Sequence, residues 1–159
     1  MIHRLTKAKR IDRIARAFPT DGCYHRWDGE TLEMLLPSGP SVNTYWRHAK
    51  GMTYISADGK AYRQAVAKIL DGAHKFGSAR LRIAVVLHGA DKRDRDLDNF
   101  GGKALLDSLV FAGVLDDDAQ IDDLRIVRGA MRKGGLFIVR IREIPPLIPD
   151  WTAAKLFED

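Results

Sequence analysis

The chain of 159 residues contains a single cysteine, Cys23, so no disulfide can form within it. A reducing cytoplasm is the compartment expected for such a chain. No apolar run approaches the roughly 20 residues needed to cross a bilayer, and the basic N-terminus lacks the apolar stretch of a signal peptide. Internal repeats are absent. Proline is sparse and stands where regular structure is expected to stop, at 19, 37 and 40 and again at 145, 146 and 149. These absences exclude a membrane span, a disulfide scaffold and a repeat array. What remains, with 45% hydrophobic and 30% charged residues, is one soluble domain long enough to bury a sizeable core.

The net charge is +5, but its distribution says more than its size. Residues 1–28 hold seven Lys/Arg and three Asp, whereas residues 91–123 hold ten Asp and four Lys/Arg. A basic protein with one concentrated acidic island suits a metal-dependent nuclease. The basic surface binds phosphates by releasing counterions, and the island would hold a cation that activates one of them.

Read in order, residues 2–18 place Leu5, Ile11, Ile14 and Phe18 among cations, which predicts a basic N-terminal helical segment. Residues 31–36 read as a strand. In Ser41-Val-Asn-Thr-Tyr-Trp-Arg-His-Ala-Lys50 aromatics and cations interleave, so Tyr45 and Trp46 are candidates to stack on bases, with Arg47, His48 and Lys50 on phosphates. Ser56 is a good N-cap for a helix expected over 58–74, with Ala61, Ala65, Ile69 and Ala73 on one face. A buried strand is expected from 81. A second helix from 103 to 111 has Leu105, Leu106, Leu109 and Ala112 inward, Asn99 as a possible cap and Lys103–Asp107 as an i,i+4 pair. Strands at 124–127 and 136–141 flank Lys133-Gly-Gly135, which reads as a hairpin turn. The order predicts an α+β fold, a small mixed β-sheet with two main helices on one face. It divides as an N-terminal extension (1–28), a domain (29–145) and a C-terminal tail (146–159).

Between the strand from 81 and the second helix lies Asp91-Lys-Arg-Asp-Arg-Asp-Leu-Asp-Asn99, in which Asp94, Asp96 and Asp98 alternate. If the backbone stays extended, the Asp96 and Asp98 carboxylates point the same way. Their repulsion is relieved by a hard divalent ion, which takes one or two carboxylates plus phosphate oxygens. Solvated surface is the plainer account of an acidic run. An EF-hand is excluded, because counting from Asp94 puts Asn99 at the glycine position and Leu105 at the glutamate position. A second acidic loop follows at Asp116-Asp-Asp-Ala-Gln120.

Three segments in this order resemble the RusA-type Holliday-junction resolvases: Ser41-Val-Asn-Thr-Tyr-Trp-Arg-His48 with Ser56-Ala-Asp-Gly-Lys-Ala-Tyr-Arg63; Arg95-Asp-Leu-Asp-Asn99 with Lys103, Asp107 and Leu109; and Ala112-Gly113 with Asp117-Asp-Ala-Gln-Ile121. The resemblance implies a homodimeric, Mg²⁺- or Mn²⁺-dependent endonuclease that nicks opposing strands of a four-way DNA junction, with no organic cofactor. It assigns the metal to Asp96, Asp98 and Asp118 and a catalytic role to Lys103. Asp107 and Asp117 are candidates to support them, and Asn43, Arg93 and Arg95 join the 45–50 segment as DNA contacts. One departure stands out: the family lysine usually follows the Asn by three residues, whereas Phe100-Gly-Gly puts Lys103 four away. An extra residue inside a regular helix would turn Lys103 by about 100°, so the Gly101-Gly102 pair is expected to absorb it. Two other readings stay open: a branched-DNA-binding protein without cleavage, and a metal nuclease acting on other nucleic-acid forms.

Overall fold

The structure is a computed structural model that describes residues 18, 20–93, 96–99 and 101–145, without the side chain of Asp98. The expected N-terminal helical segment, the C-terminal tail and Arg95 therefore lie outside the described residues.

Alternation of apolar residues builds the sheet. In β2 (Thr31–Pro37), β5 (Leu81–His88) and β7 (Leu136–Glu143), every second residue is buried. β7 pairs antiparallel with both β2 and β5. The registers line up Leu32, Ile141 and Ile83, then Met34, Val139 and Val85, then Leu36, Phe137 and Leu87. These rows form one apolar face, and each large side chain in them contributes about 1.5–3 kcal/mol by leaving water. β1 (Tyr24–Trp27) adds to the free edge of β2, and β6 (Ile121–Arg128) lies parallel to β5, giving the order β1-β2-β7-β5-β6.

Over this face pack α2 (Ala57–Ile69) and α3 (Gly102–Phe111), which contribute Tyr62 and Val66, and Ala104, Leu105 and Leu109, to the core. A short α1 (Val42–Tyr45) leads into a separate two-stranded ribbon of β3 (Trp46–Ala49) and β4 (Met52–Ile55). The α+β architecture, with a mixed sheet and helices on one face, is thus as expected, as is the Ser56 cap, whose side chain accepts from the Gly59 N–H at 3.0 Å.

Several expectations are corrected. Lys133-Gly-Gly135 turns the chain, with Gly135 N–H donating to the Arg132 carbonyl, but it does not join a hairpin, because β5 lies between β6 and β7. The most continuously apolar strand takes a partner on each side, and β6 becomes the exposed edge; a parallel β5–β6 pair needs a crossover, which α3 supplies. α2 stops at Ile69, five residues early, and Gly72 follows at φ +74°. Its buried face turns on Tyr62, whose hydroxyl donates to the Pro37 carbonyl at 2.8 Å, rather than on the alanine stripe alone. Residues 24–27, placed by sequence in the N-terminal extension, form the edge strand β1.

Candidate active site

Two short 3₁₀ turns bring the acidic segments to one helix. The first, Leu97–Asn99, follows β5, and the second, Asp118–Gln120, precedes β6; both pack against α3. The first turn corrects the extended reading of Asp96-Leu97-Asp98. The backbone turns there instead of running extended, with Asn99 N–H donating to the Asp96 carbonyl at 3.2 Å. What aligns the acidic segments is their seat on α3, not strand alternation. Nor does Asn99 cap α3; the cap is Gly101, in the left-handed region at φ +83°.

Gly101 sets where the helix starts. The bend falls before the helix, so the run from Gly102 stays regular. A Cβ at Gly101 would lie 2.9 Å from the Gly39 carbonyl oxygen and 3.0 Å from that of Pro40, both backbone atoms with little room to give. Gly101→Ala is therefore expected to cost about 1–3 kcal/mol from the backbone conformation alone, with the clash in addition. At roughly 2–4 °C per kcal/mol for a domain of this size, thermal unfolding should show a fall of several degrees. An unchanged midpoint would mean that the helix start is not fixed here.

With α3 so placed, Lys103 lies between two carboxylates. Its Nζ is 2.8 Å from Asp107 Oδ1, the expected i,i+4 pair, and donates to Asp118 Oδ2 at 3.1 Å. The Asp107 and Asp118 carboxylates hold the lysine pKa above its ordinary value, Asp107 contributing most. The ammonium in turn holds Asp118 below the usual carboxylate range. Asp118 is 45% exposed, so its oxygens face solvent, while the Asp107 side chain is 13% exposed and faces inward.

Asp117 is spent locally. Its side chain accepts from Ala119 N–H at 2.7 Å and, with Gln120, forms a capping box. Buried Gln120 anchors the whole turn: its Oε1 accepts from the Asp116 and Asp117 amides, and its Nε2 donates to the carbonyls of Gly77 and Ala79. Of the acidic triple, Asp118 is thus the one aimed at Lys103.

Arg63, which sequence reasoning left outside the site, completes it. Its Nε donates to the Tyr45 hydroxyl at 2.9 Å, a terminal nitrogen lies 3.9 Å from Asp107 Oδ2, and the guanidinium sits 5.5 Å from the Phe111 ring centroid. Tyr45, expected to stack on bases, is fully buried instead. Its ring lies where a Cβ on Gly59 would fall, at 2.8 Å. Burial, with the Asp107 carboxylate beside it, pushes the Tyr45 pKa up to about 12, so the hydroxyl stays neutral. Arg63, Lys103, Asp107, Val110, Asp117 and Asp118 line an open cleft of about 240 Å³.

The other candidates are distributed around this line. Trp46 is half-buried against the core, Asn43, Arg47, His48 and Lys50 are exposed, and Arg93 pairs with Asp91 at 2.7 Å. Among the described residues, no three His, Cys, Asp or Glu side chains cluster to hold a metal. The Asp98 carboxylate lies outside that set. The chemistry of the donors nonetheless suits a hard cation: Asp118 is ionised and exposed, Asp96 is exposed at the other turn seated on α3, and Mg²⁺ needs only one or two carboxylates beside water and phosphate.

An α+β domain with carboxylates, a lysine and an arginine gathered along one open cleft has the groups that phosphodiester cleavage requires. The model of the endodeoxyribonuclease RusA family matches residues 36–142, which span every one of these groups. The chain is 44% identical to the crossover junction endodeoxyribonuclease of Enterobacteria phage HK97 over 114 residues, covering 70% of this chain and 94% of that protein. It is 44% identical to the same enzyme of Enterobacteria phage 82 and 43% to that of Escherichia coli K12, each over 116 residues, 72% of this chain and 96% of the relative. The chain belongs to the RusA endodeoxyribonuclease family.

Proposed function

We propose that this protein is a divalent-metal-dependent endodeoxyribonuclease that resolves four-way DNA junctions by paired, symmetric nicks. The observation that carries the reading is the Lys103 ammonium held between Asp107 and Asp118, on the helix that also seats the Asp96 turn. Asp96, Asp98 and Asp118 would hold the ion, Mg²⁺ or Mn²⁺, which when bound supplies charge neutralisation at the scissile phosphate and a more acidic water. The chain's own residues do the rest. Lys103 keeps Asp118 ionised and offsets negative charge gathering on the phosphoryl oxygens, while Asp107 and Arg63 hold Lys103 in line. Arg47, His48, Lys50, Arg93 and Arg95 contact phosphates and orient the duplex arms, with Asn43 beside them. Cleaving two strands related by a two-fold axis takes two sites related by one, hence a homodimer. No described helix is long and apolar enough to cross a membrane, and cytoplasmic action on branched DNA is part of the same proposal.

Lys103 meets both carboxylates despite the extra residue before it, which favours an active enzyme over a protein that only binds. Arg63 offers a check on that line. Arg63→Met should lower cleavage about 10- to 100-fold, the usual cost of losing a supporting partner, with junction affinity kept; an unchanged rate would remove Arg63 from the site. The function itself is tested by incubating the full chain with a labelled synthetic four-way junction and a linear duplex, with Mg²⁺, Mn²⁺ or EDTA. Metal-dependent nicks at symmetry-related positions on the junction alone are expected. Tight binding without cleavage under either metal would leave a binding protein.

A further inference from the structure

The β3–β4 ribbon stands apart from the main sheet, and its register sorts its side chains onto two faces. Directly opposed residues share a face. The pairs Trp46↔Ile55 and His48↔Thr53 therefore define one face, and Arg47↔Tyr54 and Ala49↔Met52 the other. The first face turns toward the body at its root, where Trp46 and Ile55 pack against the core; nearer the tip His48 and Thr53 are exposed, with the His48 Nδ1 and Thr53 Oγ1 atoms 2.8 Å apart. The second faces out, with Met52 65% and Tyr54 48% exposed and Arg47 beside them. Lys50 and Gly51 make the turn, both at positive φ, of 52° and 74°. Two such residues in succession make the tight turn that keeps a ribbon narrow at its tip.

Charge identifies what this face meets. From residue 41 to residue 57 there is no Asp or Glu, while Arg47, Lys50 and His48 are all present. An apolar stripe bordered only by cations is complementary to nucleobases bordered by phosphates. The ribbon is also tied to the cleft. The Tyr45 carbonyl, at its root, accepts from Ser56 N–H at 2.8 Å, and the Tyr45 hydroxyl accepts from Arg63, which neighbours Asp107.

Building on the junction-nuclease reading, we propose that the outward face of this ribbon is a wedge that enters the branch point: Met52 and Tyr54 take unstacked bases while Arg47 and Lys50 hold the flanking phosphates. Apolar side chains, methionine included, open base steps in this way, and aromatic rings accept any base face. Where arms meet, stacking is already interrupted, so insertion there disturbs less than in a continuous duplex. The wedge thus supplies selection for branched DNA, which the carboxylates and lysine do not.

The test uses the full chain in EDTA, so that no strand is cut, with 2-aminopurine placed at the branch point of a four-way junction and in a linear duplex. Wild-type protein should raise the fluorescence of the junction and bind it more tightly than the duplex. The double variant Met52→Ser/Tyr54→Ser changes two exposed side chains, and its fold is checked by thermal unfolding. It should lose the fluorescence rise and about tenfold or more of the junction affinity, with duplex binding kept. An unchanged rise and affinity in the variant would overturn the wedge. So would a wild-type protein that binds the junction in EDTA without any rise yet cuts it once Mg²⁺ is added, and the nuclease reading would then survive. A wild-type protein that neither prefers the junction in EDTA nor cuts it on addition of Mg²⁺ or Mn²⁺ would overturn both.

Discussion

Asp118→Asn is expected to reduce junction cleavage by roughly 10²–10³-fold, the loss that follows removal of one electrostatic contributor to a transition state. The substitution keeps the shape of the side chain and removes its charge. Because the side chain is nearly half exposed, stability should stay within about 0.5 kcal/mol. Binding should hold or tighten, since a negative charge leaves a surface that meets phosphates. The matched control is Asp117→Asn. That side chain caps the second acidic turn through Ala119 N–H, and asparagine caps as well as aspartate, so cleavage should fall by less than about threefold. Single-turnover rates on a four-way junction separate the two positions. Equal losses at both would show that the capping contact does not distinguish them.

Lys103→Gln should be similarly damaging, again about 10²–10³-fold, and it should leave a second signature in the pH profile. The lysine holds Asp118 below the usual carboxylate range, and the two carboxylates hold the lysine above its own. The stabilising effect of the depressed Asp118 is present above the ordinary carboxylate pKa and is lost as pH falls through its lowered value. That of the raised Lys103 is complete below the ordinary lysine pKa and is lost as pH rises through its raised value. The pair is therefore intact throughout the neutral range. Without the ammonium, Asp118 returns toward the ordinary carboxylate range, so the acid limb of cleavage should move to higher pH. A Lys103→Gln enzyme with an unmoved acid limb would break the link between the two residues.

What was legible in the sequence is what local pattern encodes. The β5 and β2 strands, the second helix, the Ser56 cap and the Lys103–Asp107 pair all follow from spacing within a few residues. The acidic segments were also visible, as composition and as an ordered set of motifs. Pairing between distant segments was not. Lys133-Gly-Gly135 turns the chain, but whether β7 then joins β6 or slides between β2 and β5 depends on which strands bury most apolar surface. β1 carries Tyr24-His-Arg-Trp27, with none of its residues fully buried, so no alternation announces it; the free edge of β2 recruits it. Arg63 belongs to the site through Tyr45, 18 residues away, and Asp107 on another helix. No spacing rule reaches that far. The capping box at Asp117 and Gln120 could have been found, since its three-residue spacing is a known turn signal.

The most direct test of the account is a titration of the full chain with Mn²⁺, followed by loss of the free-ion electron paramagnetic resonance signal, for wild-type protein and for Asp96→Asn and Asp118→Asn. Asp96 follows β5 and Asp118 precedes β6, on separate turns seated on α3. If the two turns serve one cation, each substitution alone should weaken Mn²⁺ binding by at least tenfold, within the range expected on losing one ligand contribution. Mn²⁺ binding that is indifferent to both substitutions would contradict the central claim that these turns form a single metal site.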